Sequence, residues 1–585
     1  MTLERNSKLV NRKFIQYLIP SILMIFAMQF GSLVDGILVG NMIGNDALSA
    51  TSLVSPILYI IQLPGFALGA GGSIVIANLL GKRDTEGAKK TFSIAIVIGL
   101  GISIVFALLA FLISKPLASL FSADPVYQEY AYQFILGYLL TDPIITMSLI
   151  IGSFMAVDNN PRLSSIMFIV SNVAKVAFEL LFIKTFGSWS TFGAAISAGV
   201  GYLIGLITII FYIRSQKRNL TFSIKIKNGR LKEIFKASST TALNLALTAI
   251  QMLIVNIFIG QQITQGFELQ IYGLVANMVF LFDLVCGGIL NIIPTICGIF
   301  YGEKDYYSLK KITRKIYLIN IIATLVITAF IAILPGVYSS IFGYNDPTHA
   351  EYSYKILRIY LISFVPYEIS KFSMNYYPTI DKVSPSIVTV LCRELIIVLP
   401  VTLVLLFKMG LEGYCLACAI TEVSTVIITY AYIFIYEKVK KKSFGIFMID
   451  KDEYKSFDVS LTNDLSNASR VSESLTNFAL SNGVKNREAQ VVGLAAEEIV
   501  SNIDTYGYKK GQTGYIDVNL KIINDILLLR IRDDGLPFDP TKYEFDNDEG
   551  YSTSGIKLIM NLTDKMTYMR VLSLNNTIFE IKIKE

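Results

Sequence analysis

Several acidic, basic and amide side chains of this chain lie within strongly apolar stretches. Asp35 is near the end of the first such stretch, and Asn172, Lys175 and Glu179 follow in a later one at spacings of three, four and seven. On a helix these spacings place all three side chains on one face. Ionisable groups at bilayer depth are costly and normally face an interior cavity. A carboxylate pair across two helices would bind H⁺ or Na⁺ and release it when the helices rearrange.

A plainer interpretation makes Lys175 and Glu179 an i,i+4 ion pair that merely neutralises both groups, with Asp35 exposed at the outer surface. Four later residues are weaker candidates for the same kind of site: Asp283, Arg393, Glu394 and Glu422. Arg393 and Glu394 are predicted to point to different sides of a helix, so they need not pair with each other.

A second group of candidates lies near the C-terminus. Glu498 and Asn502 are one turn apart on a predicted helix, where a carboxylate and an amide can hold a hydroxyl or water and a Mg²⁺ ion against a triphosphate. Asp533 ends a predicted strand, where its carboxylate can accept from an adenine amino group, and Gly535 admits close backbone approach. Either motif alone is common in proteins.

Twelve apolar stretches must position the first group. The chain has 585 residues, 53% of them hydrophobic and only 16% charged, which is typical of a protein whose solvent is the bilayer. A helix needs about 20 apolar residues to cross it. The predicted membrane helices are 14–33, 50–79, 91–113, 132–155, 164–185, 191–213, 240–262, 270–299, 316–335, 355–375, 385–407 and 412–436.

Lys and Arg collect in alternate loops, as they do on the cytoplasmic side of membrane proteins. Basic residues precede the first stretch, follow the second, fourth, sixth and eighth, and end the membrane region at 438–442. We therefore expect a multi-pass protein of the cell membrane with both termini in the cytoplasm. The net charge of +6 reflects these loops rather than a basic groove with interleaved aromatic residues, so nucleic acid is not a predicted partner.

The membrane region contains an internal repeat with a constant offset of 221 residues. Gly81 matches Gly302, Lys89-Lys90 matches Lys310-Lys311, and Phe121 matches Phe342. The repeat predicts two six-helix lobes of the same orientation, with a substrate cavity between them and alternating access by rocking of the lobes. The predicted domains are a membrane transporter over 1–440, with lobes at about 10–214 and 236–437, a linker at 441–452, and a soluble domain at 453–585.

The soluble domain is predicted to be a compact α+β unit. Alternating apolar and polar residues over 516–522 indicate a half-buried strand, and 526–532 and 576–583 are predicted as two more. Helices are predicted at about 487–503 and after Gly555. The predicted fold class is therefore an all-α polytopic membrane protein joined to a C-terminal α+β domain.

The membrane region resembles the MATE multidrug and toxic compound extrusion transporters. The residues that carry the resemblance are the run from Asp35 to Gly40, the run from Asn78 to Arg83, the run from Asn159 to Arg162, Asn172 and Glu179, and Arg393 with Pro400. It implies export of cationic or amphipathic compounds in exchange for H⁺ or Na⁺, with Asp35, Asn172 and Glu179 as the coupling site. Glu179 stands where the family more often has Asp, and Lys175 is an additional internal cation.

The order and spacing of the C-terminal motifs resemble the ATPase domain shared by sensor histidine kinases and anti-sigma-factor serine kinases. Phe538-Asp539-Pro540 after the Asp-x-Gly motif is closer to the serine kinases, and His349, the one histidine of the chain, lies in a predicted outer loop. By this resemblance Glu498 is the general base, Asn502 the Mg²⁺ ligand and Asp533 the adenine contact, while Gly555 ends the nucleotide lid. ATP and Mg²⁺ are the cofactors it implies.

The favoured function is a cation-coupled antiporter whose C-terminal domain binds ATP and either regulates transport or phosphorylates a cytoplasmic protein partner. No Gly-x-x-x-x-Gly-Lys-Ser/Thr loop occurs, so an ATP-driven motor of the ABC type is unsupported. Two alternatives remain: a membrane-anchored signalling serine kinase or receptor, and a flippase for lipid-linked glycans.

Overall fold

The structure is a computed structural model that describes residues 5–583 except 122–123, 216, 224–229, 263–265, 342–346, 443–444, 451–453, 465, 510 and 543–551. The chain forms two compact units. The membrane unit comprises Tyr17–Asp305 and Thr313–Ile449. The second unit, called the C-terminal unit, comprises Met1–Gln16, Tyr306–Ile312 and Asp450–Glu585.

The first lobe of the membrane unit is formed by long, predominantly apolar helices. In chain order they are α1 (Lys8–Met42), α2 (Asn45–Leu53), α3 (Ser55–Gly81), α4 (Thr85–Phe121), α5 (Pro125–Val157), α6 (Pro161–Thr185), α7 (Ser190–Leu206) and α8 (Thr208–Arg214). Helix α1 begins in the C-terminal unit and continues into the membrane unit at Tyr17.

The second lobe has the same kind of helices with more interruptions. They are α9 (Leu231–Gln262), α10 (Gly266–Phe282), α11 (Gly288–Leu290), α12 (Ile293–Gly302), α13 (Tyr306–Ile333), α14 (Pro335–Ile341), α15 (Ala350–Leu361), α16 (Phe364–Thr379), α17 (Val383–Leu391) and α18 (Val398–Lys440). Two short π-helical segments, Asp283–Gly287 and Cys392–Ile396, carry charged residues into this lobe.

The predicted all-α polytopic architecture is confirmed. Within the described residues, ten helical stretches are long and apolar enough to cross a membrane. One of them, Val383–Lys440, holds the last two predicted spans, which meet where Gly410 adopts a φ of 58°. The predicted span 355–375 consists of α15 and α16, each shorter than a full crossing. All twelve predicted spans are therefore helical.

The internal repeat is visible in the backbone. Helices α3 and α12 end at Gly81 and Gly302, and the left-handed residues that follow, Arg83 and Lys304, have φ values of 66° and 53°. A Cβ on Gly302 would lie 2.2 Å from the Asn78 carbonyl oxygen. The two lobes therefore meet backbone to backbone at this end, which only glycine allows. Phe342, the predicted counterpart of Phe121, lies outside the described residues.

Residues 454–583 of the C-terminal unit form the predicted α+β domain. Five antiparallel strands are ordered β1-β2-β3-β5-β4, and three helices pack on one face of the sheet. The strands are β1 (Lys455–Thr462), β2 (Tyr515–Ile523), β3 (Ile526–Asp533), β4 (Lys565–Val571) and β5 (Leu574–Lys582); the helices are α19 (Ser466–Ser481), α20 (Asn486–Tyr506) and α21 (Ser552–Leu562). Three of these strands and two helices were predicted; β1, β4 and α19 were not.

Apolar and polar side chains alternate along the strands, so the apolar ones form a core on one face of the sheet. Val518 and Leu520 of β2 and Leu529 and Ile531 of β3 are at most 1% exposed and face the helices. Apolar stripes of α19 and α20, including Val492, cover them. The residues between them in the strands are polar and face the opposite side of the sheet.

Candidate functional site

A buried ion pair joins the first predicted helix to the fifth. Lys175 of α6 donates a hydrogen bond to Oδ2 of Asp35 in α1. The carboxyl group of Glu179, one turn further along α6, is close enough to Asp35 and Lys175 to interact with both electrostatically. Lys175 and Glu179 are 7% and 1% exposed, whereas the Asp35 side chain is 23% exposed. The structure thus brings the three predicted ionisable groups together.

Close helix packing fixes this cluster. A Cβ on Gly31 of α1 would lie 2.3 Å from Oδ1 of Asn172, so the glycine makes room for the amide. The Asn172 side chain in turn donates to the Phe168 carbonyl oxygen at 2.8 Å. On the other side, a Cβ on Gly201 of α7 would lie 2.7 Å from Cβ of Lys175. Asn172 therefore packs beside the cluster, one turn before Lys175, with its amide held by the Phe168 carbonyl group.

The plainer sequence interpretation, an i,i+4 pair of Lys175 and Glu179, does not describe this arrangement. Lys175 bonds to the carboxylate of another helix, and Asp35 is not a surface residue at the outer interface. The second Glu179 oxygen, Oε2, is buried and has no hydrogen-bond partner among the described residues. Two acidic groups and one ammonium therefore share one partly buried site.

The second lobe contains a similar pair that the sequence analysis found only in part. Asp283, a predicted candidate, accepts a hydrogen bond from Lys371 of α16. Glu368, one turn before Lys371, is fully buried and accepts from the Asn320 amide at 3.1 Å. Its Oε1 atom has no hydrogen-bond partner in the described part of the chain. Lys371 and Glu368 lie inside a predicted membrane helix, so the rule that selected Asp35 would also have selected them.

Arg393, Glu394 and Glu422 form an adjoining cluster. Nε of Arg393 donates to Oε1 of Glu422 at 2.7 Å, and Nη1 lies 3.3 Å from Oε1 of Glu394. Arg393 and Glu394 were predicted to point to different sides of a helix and not to need each other as partners, yet these adjacent side chains lie 3.3 Å apart within the π-helical segment Cys392–Ile396. The Tyr367 ring lies 4.4 Å from the Arg393 guanidinium and 5.1 Å from the Lys371 ammonium, and so joins the two clusters.

The first part of the predicted nucleotide site is on α20. Nδ2 of Asn502 donates to Oε1 of Glu498 at 2.8 Å. That bond orients Glu498 and leaves Oδ1 of Asn502 as the oxygen suited to Mg²⁺. A Cβ on Gly555 at the start of α21 would lie 2.3 Å from Glu498 Oε1, so this glycine allows α21 to begin against the carboxylate.

The second part is the loop after β3. Oδ1 of Asp533 accepts from the Gly535 amide at 2.8 Å and from Nδ2 of Asn575 at 2.9 Å. Both bonds involve Oδ1, which leaves Oδ2 for an adenine amino group. A Cβ on Gly535 would lie 2.6 Å from the carbonyl oxygen of Gly507, which follows α20 and accepts from the Leu536 amide. This contact joins the two motifs. Asn575 and Gly507 were not predicted.

Burial raises the pKa of Asp533 to about 6, against the lowering effect of the hydrogen bonds from Asn575 and Gly535. The side chain is 3% exposed. A buried carboxylate held by two donors, next to a glycine that admits close approach, fits adenine recognition. The residues present therefore fit a Mg²⁺-nucleotide, with Asp533 at the base and Asn502 at the phosphates.

Two family models match this chain. The MatE model matches residues 20–181 and 240–404. A model described as a histidine kinase-like ATPase domain matches residues 461–579. The first contains Asp35, Asn172, Lys175 and Glu179, and the second contains Glu498, Asn502, Asp533 and Gly535.

Curated relatives are multidrug export proteins. The protein MepA of Staphylococcus haemolyticus is 25% identical over 325 residues, which are 53% of this chain and 70% of the relative. MepA of Staphylococcus saprophyticus is 24% identical over 288 residues, 47% of this chain and 63% of the relative. This chain thus spans about two thirds of the length of these relatives.

Solved structures share the fold of the membrane unit. The MATE multidrug transporter DinF-BH has a TM-score of 0.67 and 21% identity over 76% of this chain and 100% of that one. A MOP superfamily transporter from Pyrococcus furiosus has a TM-score of 0.65 and 18% identity over 75% of this chain and 100% of that one.

Proposed function

This chain belongs to the MatE family, and from that premise we propose that it exports cationic or amphipathic small molecules in exchange for a coupling cation. The observation that carries the coupling is the partly buried cluster of Asp35, Lys175 and Glu179 between α1 and α6. The names of its MepA relatives as multidrug export proteins support the substrate class. The segregation of Lys and Arg supports a cell-membrane location with both termini in the cytoplasm.

The coupling ion we propose is H⁺ rather than Na⁺. The acidic groups of Asp35 and Glu179 are close neighbours that share the single ammonium of Lys175, and two carboxylates in one partly buried site favour protonation of one of them. A metal cation at this place would have to displace the Lys175 ammonium, which already neutralises Asp35. A proton needs no such displacement, because it binds a single oxygen.

This chemistry gives a simple exchange. With Glu179 protonated, the cluster is neutral, since Lys175 balances Asp35. Loss of the proton leaves a net negative charge in a site of low dielectric, which favours an incoming cationic substrate. The second lobe has a similar set of charges, because Asp283 and Glu368 are two acidic groups beside one ammonium, that of Lys371.

For the C-terminal domain we propose ATP binding that regulates transport. Asp533 would accept from the adenine amino group, Gly535 would allow the base to approach, and Asn502 would ligate Mg²⁺ through Oδ1. Bound ATP would supply a phosphoryl group only if a partner hydroxyl reached Glu498. Phosphorylation of a partner protein is a second function, favoured by the Asn502 bond that orients Glu498 as a base.

The test of transport uses purified full-length protein in liposomes, with efflux of a fluorescent cationic dye driven by a pH gradient or by a Na⁺ gradient, each applied alone. We expect transport with the pH gradient and none with Na⁺ alone. The variant Asp35→Asn should abolish it, whereas Asp46→Asn, at the exposed start of α2, should not. Full activity of Asp35→Asn would refute this coupling site.

Nucleotide binding is tested on the same preparation with a fluorescent ATP analogue and Mg²⁺. We expect binding by the wild type and its loss in Asp533→Ala, with Asp525→Ala in the β2–β3 turn as the matched control. Absence of binding by the wild type would leave the transporter assignment intact and remove the nucleotide function.

A further inference from the structure

The beginning of α1 is bound to the domain that carries the nucleotide motifs. Residues 5–13 form the N-terminal segment, which belongs to the same compact unit as strands β1 to β5. Nη1 of Arg5 bonds to Oδ1 of Asp458 at 2.6 Å, and the Asn6 amide donates to Oγ of Ser460 at 3.0 Å. Both acceptors are on β1, the edge strand of the sheet. The N-terminal segment therefore contacts side chains on the polar face of β1.

Two further contacts lie at the nucleotide motif itself. Nη1 of Arg12 bonds to Oδ2 of Asp534 at 2.8 Å, and Nζ of Lys13 donates to the Ser573 carbonyl oxygen at 3.1 Å. The Asp534 side chain is only 2% exposed, and its other oxygen accepts from the Tyr508 hydroxyl at 2.9 Å. Removing the guanidinium would leave this buried carboxylate with only the more distant charge of Lys13, which is unfavourable.

Asp534 is the immediate neighbour of Asp533. Asp533 bonds to Gly535 and Asn575 at the proposed adenine position, whereas Asp534 bonds to Arg12. Asp533 is held by two chain segments, the loop after β3 and the start of β5. Arg12 contacts the first segment at Asp534, and Lys13 contacts the second at Ser573, two residues before Asn575. A shift of the Asp533 loop on nucleotide binding must therefore change the contacts of Arg12.

The polar face of the sheet supports an ordered interface. Antiparallel sheets commonly leave one face to water, and this face carries Asp517, Asn519 and Arg532. They are nevertheless only 5%, 8% and 3% exposed. Part of the cover is the N-terminal segment: Ser460, which bonds to Asn6, also donates to Asp517 at 2.6 Å. The contacts of Arg12 and Lys13 add to the polar contacts that the N-terminal segment makes with this face through Asn6.

Helix α1 carries both Arg12 and Asp35. The helix is continuous from Lys8 to Met42 although it contains Pro20, so a change in the contacts of Arg12 acts on the same helix that carries Asp35.

We propose that the Arg12–Asp534 and Lys13–Ser573 contacts form a latch through which Mg²⁺-nucleotide bound at Asp533 controls the movement of α1 and hence transport. The inference rests on the proposed function, because it requires both a nucleotide site and a transport cycle. It assigns the regulation to a binding event, so hydrolysis is not needed. A nonhydrolysable ATP analogue should act like ATP.

The experiment measures dye transport by full-length protein in liposomes under a fixed pH gradient, with and without Mg²⁺ and a nonhydrolysable ATP analogue on the side of the domain. We expect the wild-type rate to change at least about fivefold, the lower end of typical allosteric coupling. Arg12→Gln should lose the response while keeping transport without nucleotide and analogue binding. The matched control is Arg162→Gln, at the exposed start of α6. The charge swap Arg12→Asp with Asp534→Arg should recover part of the response.

A second measurement follows hydrogen exchange of the peptide 5–16. Nucleotide should change its exchange in the wild type but not in Asp533→Ala. The latch is refuted if Arg12→Gln responds to the analogue as the wild type does, or if the wild type binds the analogue without any change in transport. Failure of the wild type to bind the analogue, or to transport at all, would instead refute the proposed nucleotide or transport function.

Discussion

Lys175 of α6 donates to Asp35 of α1, and Glu179 lies one turn further along α6 from the same lysine. The Lys175 ammonium therefore neutralises Asp35. Two acidic groups remain against one fixed positive charge, and the site can change its net charge only by binding or losing a cation. This relationship determines the first two predictions.

Glu179→Gln should abolish transport driven by a pH gradient. The amide keeps the size of the side chain and can donate to Asp35, but it cannot exchange a proton, so the cluster remains in its neutral form. We expect at least a hundredfold loss in efflux rate, on the order expected for removing an essential proton-transfer group. Binding of the dye, measured by fluorescence polarisation, should weaken much less. Glu86→Gln, at an exposed position in α4, serves as the control.

Lys175→Met should change the preferred coupling ion. Without the ammonium, Asp35 and Glu179 are two acidic groups with no fixed counter-ion, and Asn172 adds an amide oxygen nearby. Such a set of oxygens suits a hard cation. We expect transport by this variant to respond to a Na⁺ gradient, which the wild type should ignore. The result is contradicted if Na⁺ neither drives transport nor stabilises the variant against heat.

The ion pair of the second lobe gives a prediction about stability. Lys371→Met leaves Asp283 without its cation, and breaking a buried pair in this way costs about 3–5 kcal/mol. The double variant with Asp283→Asn removes the unpaired charge and should recover most of that loss. Thermal unfolding of the detergent-solubilised protein measures both effects. Equal stability of the single and double variants would show that the pair is not energetically coupled.

The sequence predicted the helices of this protein well because bilayer thickness and apolar length are directly linked. It also predicted which residues of α6 share a face, since that follows from helical spacing. It did not predict that Lys175 bonds to Asp35 rather than Glu179, because the approach of α1 and α6 depends on glycines such as Gly31 and Gly201. Partners on different helices cannot be obtained from spacing within one helix.

Spacing along the chain also failed to predict contacts in the second lobe and in the C-terminal domain. Arg393 and Glu394 were predicted to point to different sides of a helix, yet they lie 3.3 Å apart, because long side chains on adjacent residues can reach one another. In the C-terminal domain, β1, β4 and α19 were missed, because their polar faces resemble those of ordinary loops. The Asp533 motif was predicted from its position after a strand, but its second donor, Asn575, comes from β5, which pairs with β3 in register.

Asp533→Asn should separate nucleotide binding from stability. Burial raises the Asp533 pKa from 3.8 to about 6, so the folded domain holds an unfavourable carboxylate at neutral pH, at a cost of roughly 3 kcal/mol. The wild-type domain should therefore become more stable as the pH falls from about 6 toward 4, where the folded state binds a proton that the unfolded state does not.

The asparagine side chain carries no charge at any of these pH values. It can still accept from Gly535 and Asn575 through Oδ1, so the local structure should persist and the domain should be more stable than the wild type at pH 7.5. That gain should disappear near pH 4. Hydrogen exchange of the peptide 526–536 in the full-length protein measures the opening of β3, and binding of a fluorescent ATP analogue measures function. We expect slower exchange at pH 7.5 together with weaker binding, since Nδ2 replaces the oxygen that accepts from adenine. Slower exchange with unchanged binding would exclude Asp533 as the adenine contact.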